Sequence, residues 1–352
     1  MNDILPFLKT MLSAPGLSGF ERPICEIIRN EWTPLADELS LSRLGSLHAL
    51  KRGDGVEPRR KILLSAHMDA IGLMVTGIAD GFIRFTEVGG IDSRILPGQL
   101  VTVHGKKDLP GIVALPPAYL LPPGAGDEAV EMQYLYVDTG LREDEVLENV
   151  RIGDVISYAT QPTELGKDAL YGHTLDNRVS VAAVTICLEM LKRRKHAWDV
   201  YAVASTQEEE TLGGAMTSPY AIQPDLAIVI DVTFARGPGG GDWRSFPFGK
   251  GVSLCEGPNI HPALLKAVQD KADELEIPFH HEFAPRMSGT DAMALQVVRE
   301  GIPCVVIGIP LRYMHTPVET VSLKDVKRAG RLMAEFISDL EANFVDKITW
   351  EE

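Results

Sequence analysis

Four apolar runs in this sequence each lead into an ionisable side chain. Ile62-Leu63-Leu64-Ser65-Ala66 runs into His67-Met68-Asp69, and Leu226-Ala227-Ile228-Val229-Ile230 stops at Asp231. Val200-Tyr201-Ala202-Val203-Ala204 passes through Ser205-Thr206-Gln207 to Glu208-Glu209-Glu210, and Pro303 to Ile309 leads within a few residues to His315. Short continuous apolar runs of this kind read as strands buried on both faces, as in sheets covered by helices. In open α/β sheets, groups at the carboxyl ends of strands converge on one crevice. The expected fold class is therefore α/β, with a mixed central sheet flanked by helices. Two imidazoles and several carboxylates in one crevice have the composition of a metal site.

One stretch does not share this texture. From Ile71 to about Leu165 the chain shows short alternating runs such as Leu100-Val101-Thr102-Val103 and Met132 to Val137, punctuated by glycine and proline. That pattern predicts an all-β, barrel-like segment, helical only over Arg142 to Asn149 and with a long loop at Leu115 to Asp127. A chain of 352 residues is long for one core, by a prior of roughly 150 residues per domain. If His67 is to meet Asp176, the β segment is an insertion: residues 1–70 and 166–352 form a catalytic α/β domain, and 71–165 an inserted β domain.

Around that insertion the spacing predicts helices over 2–12, over Asn177 to Leu191 (almost wholly apolar, hence buried), near 213, over 262–275 and 290–300, and over Ser322 to Asn343. Ser18 followed by Glu21 has the form of a capping box before Ile24, Ile27, Ile28 and Trp32. Gly237 to Gly241 reads as a turn, too far from a strand-to-helix junction to cradle phosphate.

The net charge of -15 argues against a nucleic-acid backbone or an anionic membrane as partner and suits a chain that holds cations. No apolar run approaches the roughly 20 residues of a membrane span, and Met1 to Thr10 lacks a signal-peptide pattern, so the expected location is the cytoplasm. Cys25, Cys187, Cys255 and Cys304 show no paired spacing and read as small hydrophobes.

Taken singly, the candidate residues have ordinary explanations. His67 and Asp69 suit a hydrogen-bonded core pair, Asp176 a helix cap, Asp231 and Glu208 to Glu210 a polar turn, and His315 a surface loop. Their coincidence at the ends of successive strands favours chemistry. Asp176, Glu209 and Asp231 bring three negative charges, which two divalent cations and a bridging hydroxide would neutralise; without cations they would repel and raise one another's pKa. Five ligands exceed one open tetrahedral zinc site but suit two metals sharing a carboxylate. Of His67 and Asp69, one would bind metal while the other orients or tunes it.

The motifs His67-Met68-Asp69, Leu175-Asp176-Asn177-Arg178, Gln207-Glu208-Glu209, Asp231-Val232-Thr233, Gly289-Thr290-Asp291-Ala292 and Arg312-Tyr313-Met314-His315-Thr316-Pro317 together resemble the tetrahedral (TET) aminopeptidases. These dinuclear metallopeptidases are also called glutamyl or deblocking aminopeptidases, and some are labelled endoglucanases. The resemblance extends over essentially the whole chain. It implies a zinc-peptidase core with one metal on His67 and Asp231, a second on Glu209 and His315, and Asp176 bridging. Glu208 takes the place of the general base and Asp69 that of the carboxylate supporting the first histidine. Zn2+ is the expected ion, with Co2+ or Mn2+ also suited. The resemblance further implies short peptides as substrate and a homo-oligomer in which dimers, built through the β insertion, form a dodecamer.

His173, Ser180, Glu210-Thr211 and Phe234 depart from the family's usual residues at their positions; none is a ligand in this scheme. His173, Arg286 and Arg312 are the candidate substrate-binding residues. Other readings are a deacylase on the same metal core, a glycosidase using Glu208 and Glu209, and a non-catalytic scaffold. Carboxylates adjacent in sequence are poorly placed to flank a sugar bond from two sides and that reading leaves the histidines unexplained, while the intact set of five ligands and a base argues against a scaffold.

Overall fold

The computed structural model describes residues 3–124, 129–239 and 241–349. An eleven-stranded mixed sheet carries the molecule, and its centre is made of the four apolar runs. Asp199–Ser205, Lys61–His67, Leu226–Phe234 and Cys304–Arg312 lie side by side in that order, all parallel. Being parallel neighbours, they present their carboxyl ends along one rim. Leu47–Lys51 and Glu38–Leu41 extend the sheet on one side; Glu319–Ser322, Ala169–Gly172 and Thr163–Leu165 extend it on the other. Val252–Glu256 branches from Cys304–Arg312 and carries Phe279–Phe283.

Burial on both faces explains why these runs are continuous rather than alternating. Helix Leu175–Leu191 packs on the sheet, with helix Leu323–Asp339 beside it and also against the sheet. The contact is close at Gly330, where a Cβ would stand 2.7 Å from the Ala183 carbonyl oxygen and from Ile186 Cβ. Trp32, fully buried, donates its indole N–H to Thr185 Oγ1 at 2.8 Å and ties helix Arg22–Trp32 to the same core.

After Lys61–His67 the chain leaves the sheet and forms a closed antiparallel barrel. Gly72–Ala79, Phe82–Val88, Tyr136–Asp138, Asp108–Ala114, Leu100–His104 and Val155–Tyr158 follow one another around it. Ile83, Val101, Val103, Val113, Val137 and Ile156 fill its interior, a core separate from that of the sheet. The chain rejoins the large sheet at Thr163–Leu165. No helix among the described residues is long and apolar enough to cross a membrane.

Several local expectations are corrected. The first helix is Leu5–Leu12, and residue 2 lies outside the described residues. Ser18 and Glu21 do not form a capping box. Glu21 stands at the N-cap of helix Arg22–Trp32 with helical backbone angles, and its carboxylate instead accepts N–H groups from Gly19 and Gln207. Met132–Tyr134 is a single 3-10 turn, leaving only Tyr136–Asp138 as strand. The helix expected over 290–300 is reduced to Ala292–Leu295, and the left-handed backbone of Arg299 (φ 58°) bars its continuation to 300. The closing helix stops at Asp339. The loop after Leu115 contains the 3-10 turn Ala118–Leu120; its residues 125–127, and Gly240 of the glycine turn, lie outside the described residues.

Candidate metal centre

The rim of the parallel strands gathers seven of the candidate side chains. His67 ends its strand with Nε2 3.3 Å from Asp176 Oδ1, 3.6 Å from Glu208 Oε2 and 3.7 Å from Asp231 Oδ1. His315 Nε2 lies 3.4 Å from Asp176 Oδ2 and 3.4 Å from Glu209 Oε2. Asp176 therefore directs one oxygen to each imidazole. Ligand atoms of His67, Glu208 and Asp231 lie within 4.8 Å of one another, as do those of His67, Asp176 and Glu209.

Supporting bonds fix these groups from behind. Asp69, fully buried, places Oδ1 3.4 Å from His67 Nδ1, and its two oxygens accept the backbone N–H groups of Glu208 (3.0 Å) and Glu209 (3.2 Å). His67 Nδ1–H donates to the Asp69 backbone carbonyl at 3.2 Å, so residue 69 locates the histidine chiefly through its backbone and the paired glutamates through its carboxylate. The Nδ1–H of His315 donates to the Gly90 carbonyl at 2.9 Å, which leaves Nε2 to face the two carboxylates. Gly90 belongs to the turn that leaves the barrel strand Phe82–Val88, and a Cβ there would stand 3.3 Å from His315 Nδ1, so a glycine permits the approach. Glu210 Oε1 accepts the neighbouring Gly89 N–H at 2.6 Å.

Four of the nine non-glycine residues with left-handed backbone among the described residues lie here. Thr174 (φ 69°), Gln207 (φ 61°), Tyr313 (φ 60°) and His315 (φ 61°) all precede or belong to the gathered segments. Such conformations persist where surrounding structure dictates them, and functional sites are where they cluster.

The electrostatics are those of negative charge short of a counter-ion. Burial, then Asp231, Asp291 and Glu209, pushes Glu208 up to about 10 despite the opposing pull of His67. Asp231 is driven well up by burial and by Asp176, and Glu209 is raised by the same two causes. Hydrogen bonds to Asp176 and Glu209 pull His315 up to about 11. Asp176 goes the other way: burial opposes ionisation, but its bonds with His315 and His67 outweigh it. The buried Glu209 Oε1 has no hydrogen-bond partner. Imidazole nitrogens, crowded carboxylates and an orphaned carboxylate oxygen suit divalent cations, whose charge would reverse these shifts.

The other three candidates are not among the gathered side chains. His173 is 3% exposed and meets the Tyr158 ring edge-on at a centroid distance of 4.8 Å. Arg312 closes its strand by donating to the Arg236 carbonyl at 2.8 Å and stacking 4.3 Å from the Phe248 ring centre. Arg286 lies exposed in the segment after Phe279–Phe283. Among the departures, Ser180 is fully buried and Phe234 is 57% exposed.

Two buried carboxylates that touch the strand ends or the gathered segments received no role from the sequence. Asp291 Oδ2 accepts from Ser65 (2.7 Å) and Ser205 (2.5 Å), beneath the strand ends. Glu319 accepts the backbone N–H groups of Asp176 and His315. The available signal was a carboxylate inside a short apolar stretch, Pro317-Val318-Glu319-Thr320-Val321, since an acidic residue is seldom fully buried without partners.

The sequence pattern of the M42 glutamyl aminopeptidase family matches residues 45–332. A lysyl aminopeptidase of Pyrococcus furiosus is 33% identical over 341 residues, covering 95% of this chain and 96% of its own. The crystal structure of a TET aminopeptidase from the marine sediment archaeon Thaumarchaeota archaeon SCGC AB-539-E09 superposes with a TM-score of 0.93 at 32% identity, covering 98% of this chain and 99% of that one. The Pyrococcus horikoshii TET1 peptidase, which can assemble into a tetrahedron or a large octahedral shell, superposes with a TM-score of 0.84 at 28% identity, covering 96% and 100%.

Proposed function

The chain belongs to the M42 glutamyl aminopeptidase family and is an aminopeptidase; from that premise we propose that it removes the first residue of short peptides using two divalent ions held at the strand rim. The observation that carries the proposal is the division of the Asp176 carboxylate between His67 and His315. His67 and Asp231 would hold one ion, Glu209 and His315 the other, with Asp176 bridging. Zn2+ is the favoured ion, and Co2+ or Mn2+ suit the same ligands. When bound, the pair would lower the pKa of a shared water and polarise the scissile carbonyl.

The remaining steps belong to side chains. Glu208 stands beside the His67–Asp231 side of the site, placed to take the proton of the attacking water and return it to the departing amine. Asp69 holds the backbone of Glu208 and Glu209 so that base and ligand face the crevice together. The free α-amino group of the substrate would be received by carboxylates at the rim, which confines cleavage to chain ends. Substrate contacts by His173, Arg286 and Arg312 belong to the same proposal, subordinate to the metal set.

Residues 1–70 and 166–352 form the catalytic unit in this reading, and 71–165 the unit through which dimers build a dodecamer. Light scattering should then give a mass near twelve chains; a monomer at working concentration would remove the assembly. The reaction is tested by offering one peptide series with free and with acetylated amino termini. Release of the first residue only from free amines supports an aminopeptidase, and cleavage confined to the acylated series would replace it with a deacylase.

A further inference from the structure

One residue outside the proposed ligand set joins its two halves. Glu319 is 2% exposed, and its oxygens go to two segments far apart in sequence: Oε2 accepts the N–H of Asp176 at 3.1 Å, and Oε1 that of His315 at 3.0 Å. Its strand, Glu319–Ser322, pairs antiparallel on one side with Ala169–Gly172, which leads to Asp176, and on the other with Cys304–Arg312, which leads to His315. Glu319 itself lies opposite Gly172, at the point where the first of these segments turns toward the rim.

Both segments arrive in backbone conformations that they would not choose alone. Thr174, two residues before Asp176, has φ 69°, while Tyr313 and His315 have φ 60° and 61°. Non-glycine residues stay in the left-handed region only where neighbouring structure holds them there. A carboxylate is suited to the task because each of its two oxygens can accept a backbone N–H. An amide of the same shape has one accepting oxygen and turns an NH2 toward the second N–H.

We propose that Glu319 is a positioning residue: by accepting both N–H groups it fixes the Asp176 carboxylate relative to the His315 imidazole, and so governs the affinity of the ion shared by Asp176, Glu209 and His315. The proposal rests on the dinuclear reading above and adds to it an unequal dependence of the two ions on one side chain. The ion of His67 and Asp231 depends less on Glu319, because His67 is held from behind by Asp69 and Asp231 lies on a central strand.

The test is a calorimetric titration of the chelator-stripped full chain with Zn2+ alone, for the wild type and for Glu319→Gln, with kcat and KM measured on the reloaded proteins. The wild type should take up two ions. In the variant one binding event should keep its affinity and the other weaken by about 10- to 100-fold, with kcat falling more than KM changes. Two unchanged events, or two events weakened equally, would overturn the proposal, the second because a merely structural brace would act on the whole site. A wild type that binds no Zn2+ would overturn the dinuclear reading together with it. Should Glu319→Gln fail to fold, Glu319→Asp, which keeps the carboxyl group but one methylene short, is titrated with the same outcomes named.

Discussion

The carboxylate of Asp69 stands 3.4 Å from the Nδ1 of His67, and both side chains are buried. The same carboxylate accepts the N–H groups of Glu208 and Glu209, while His67 Nδ1–H donates to the Asp69 backbone carbonyl at 3.2 Å, so replacing the carboxylate acts on the two glutamates and on the negative charge beside the imidazole. Asp69→Asn should therefore weaken metal retention by about 10- to 100-fold, the usual effect of losing a group that orients a ligand. Dialysis against buffered metal, followed by elemental analysis, measures this; retention equal to the wild type would take Asp69 out of the supporting role.

Glu208 is the group whose removal should separate binding from turnover. Glu208→Gln keeps the shape but cannot take a proton, so it should retain both ions while kcat falls by at least about 10²- to 10⁴-fold. Full turnover in this variant would assign the proton transfer to another group.

Arg178 donates to the carbonyls of Met68, Met11, Ala14 and Gly16 from a fully buried position. It therefore ties the segment that follows the first helix to the turn between His67 and Asp69. Arg178→Met strands several of these carbonyls, and each buried acceptor left unpaired costs about 1–3 kcal/mol. Denaturant unfolding should show a loss of at least about 2 kcal/mol, whereas an unchanged midpoint would mean that water replaces the guanidinium freely.

His48 supplies a pH dependence away from the metal centre. Burial lowers its pKa from 6.5 to about 4, and its Nε2 lies 2.9 Å from Ser218 Oγ. The unfolded chain protonates this imidazole first as the pH falls, so stability is lost between pH 6.5 and 4 and levels off below. At about 1.4 kcal/mol per unit, the full loss is about 3 kcal/mol. His48→Gln should remove that component when the two proteins' unfolding curves are compared across the window; parallel curves would show that His48 titrates alike in both states.

What the sequence made legible follows from what burial does to it. The four central strands are covered on both faces, so they appear as unbroken apolar runs, and their polar ends mark the rim where His67, Glu208, Glu209, Asp231 and, by a short loop, His315 meet. The barrel announced itself by the change to period-two alternation. What stayed hidden depends on partners distant along the chain. Glu21 had the spacing of a helix cap, but the N–H of Gln207 competes for its carboxylate. Glu319 offered locally only a carboxylate within a short apolar stretch; it binds the N–H of His315, just before it in the chain, together with that of Asp176 from a distant segment, and only the pairing shows its role. The strand expected over Met132 to Val137 shrank to Tyr136–Asp138, with only Tyr136 to Asp138 paired in the barrel.

Anomalous diffraction from a Zn2+-loaded crystal, recorded on both sides of the zinc absorption edge, addresses the central claim most directly. Two peaks per subunit are expected, one within coordination distance of His67 and Asp231, the other of Glu209 and His315, with Asp176 between them. A map of an active crystal with no peak at the rim, or with a single peak that leaves His315 unliganded, would contradict it.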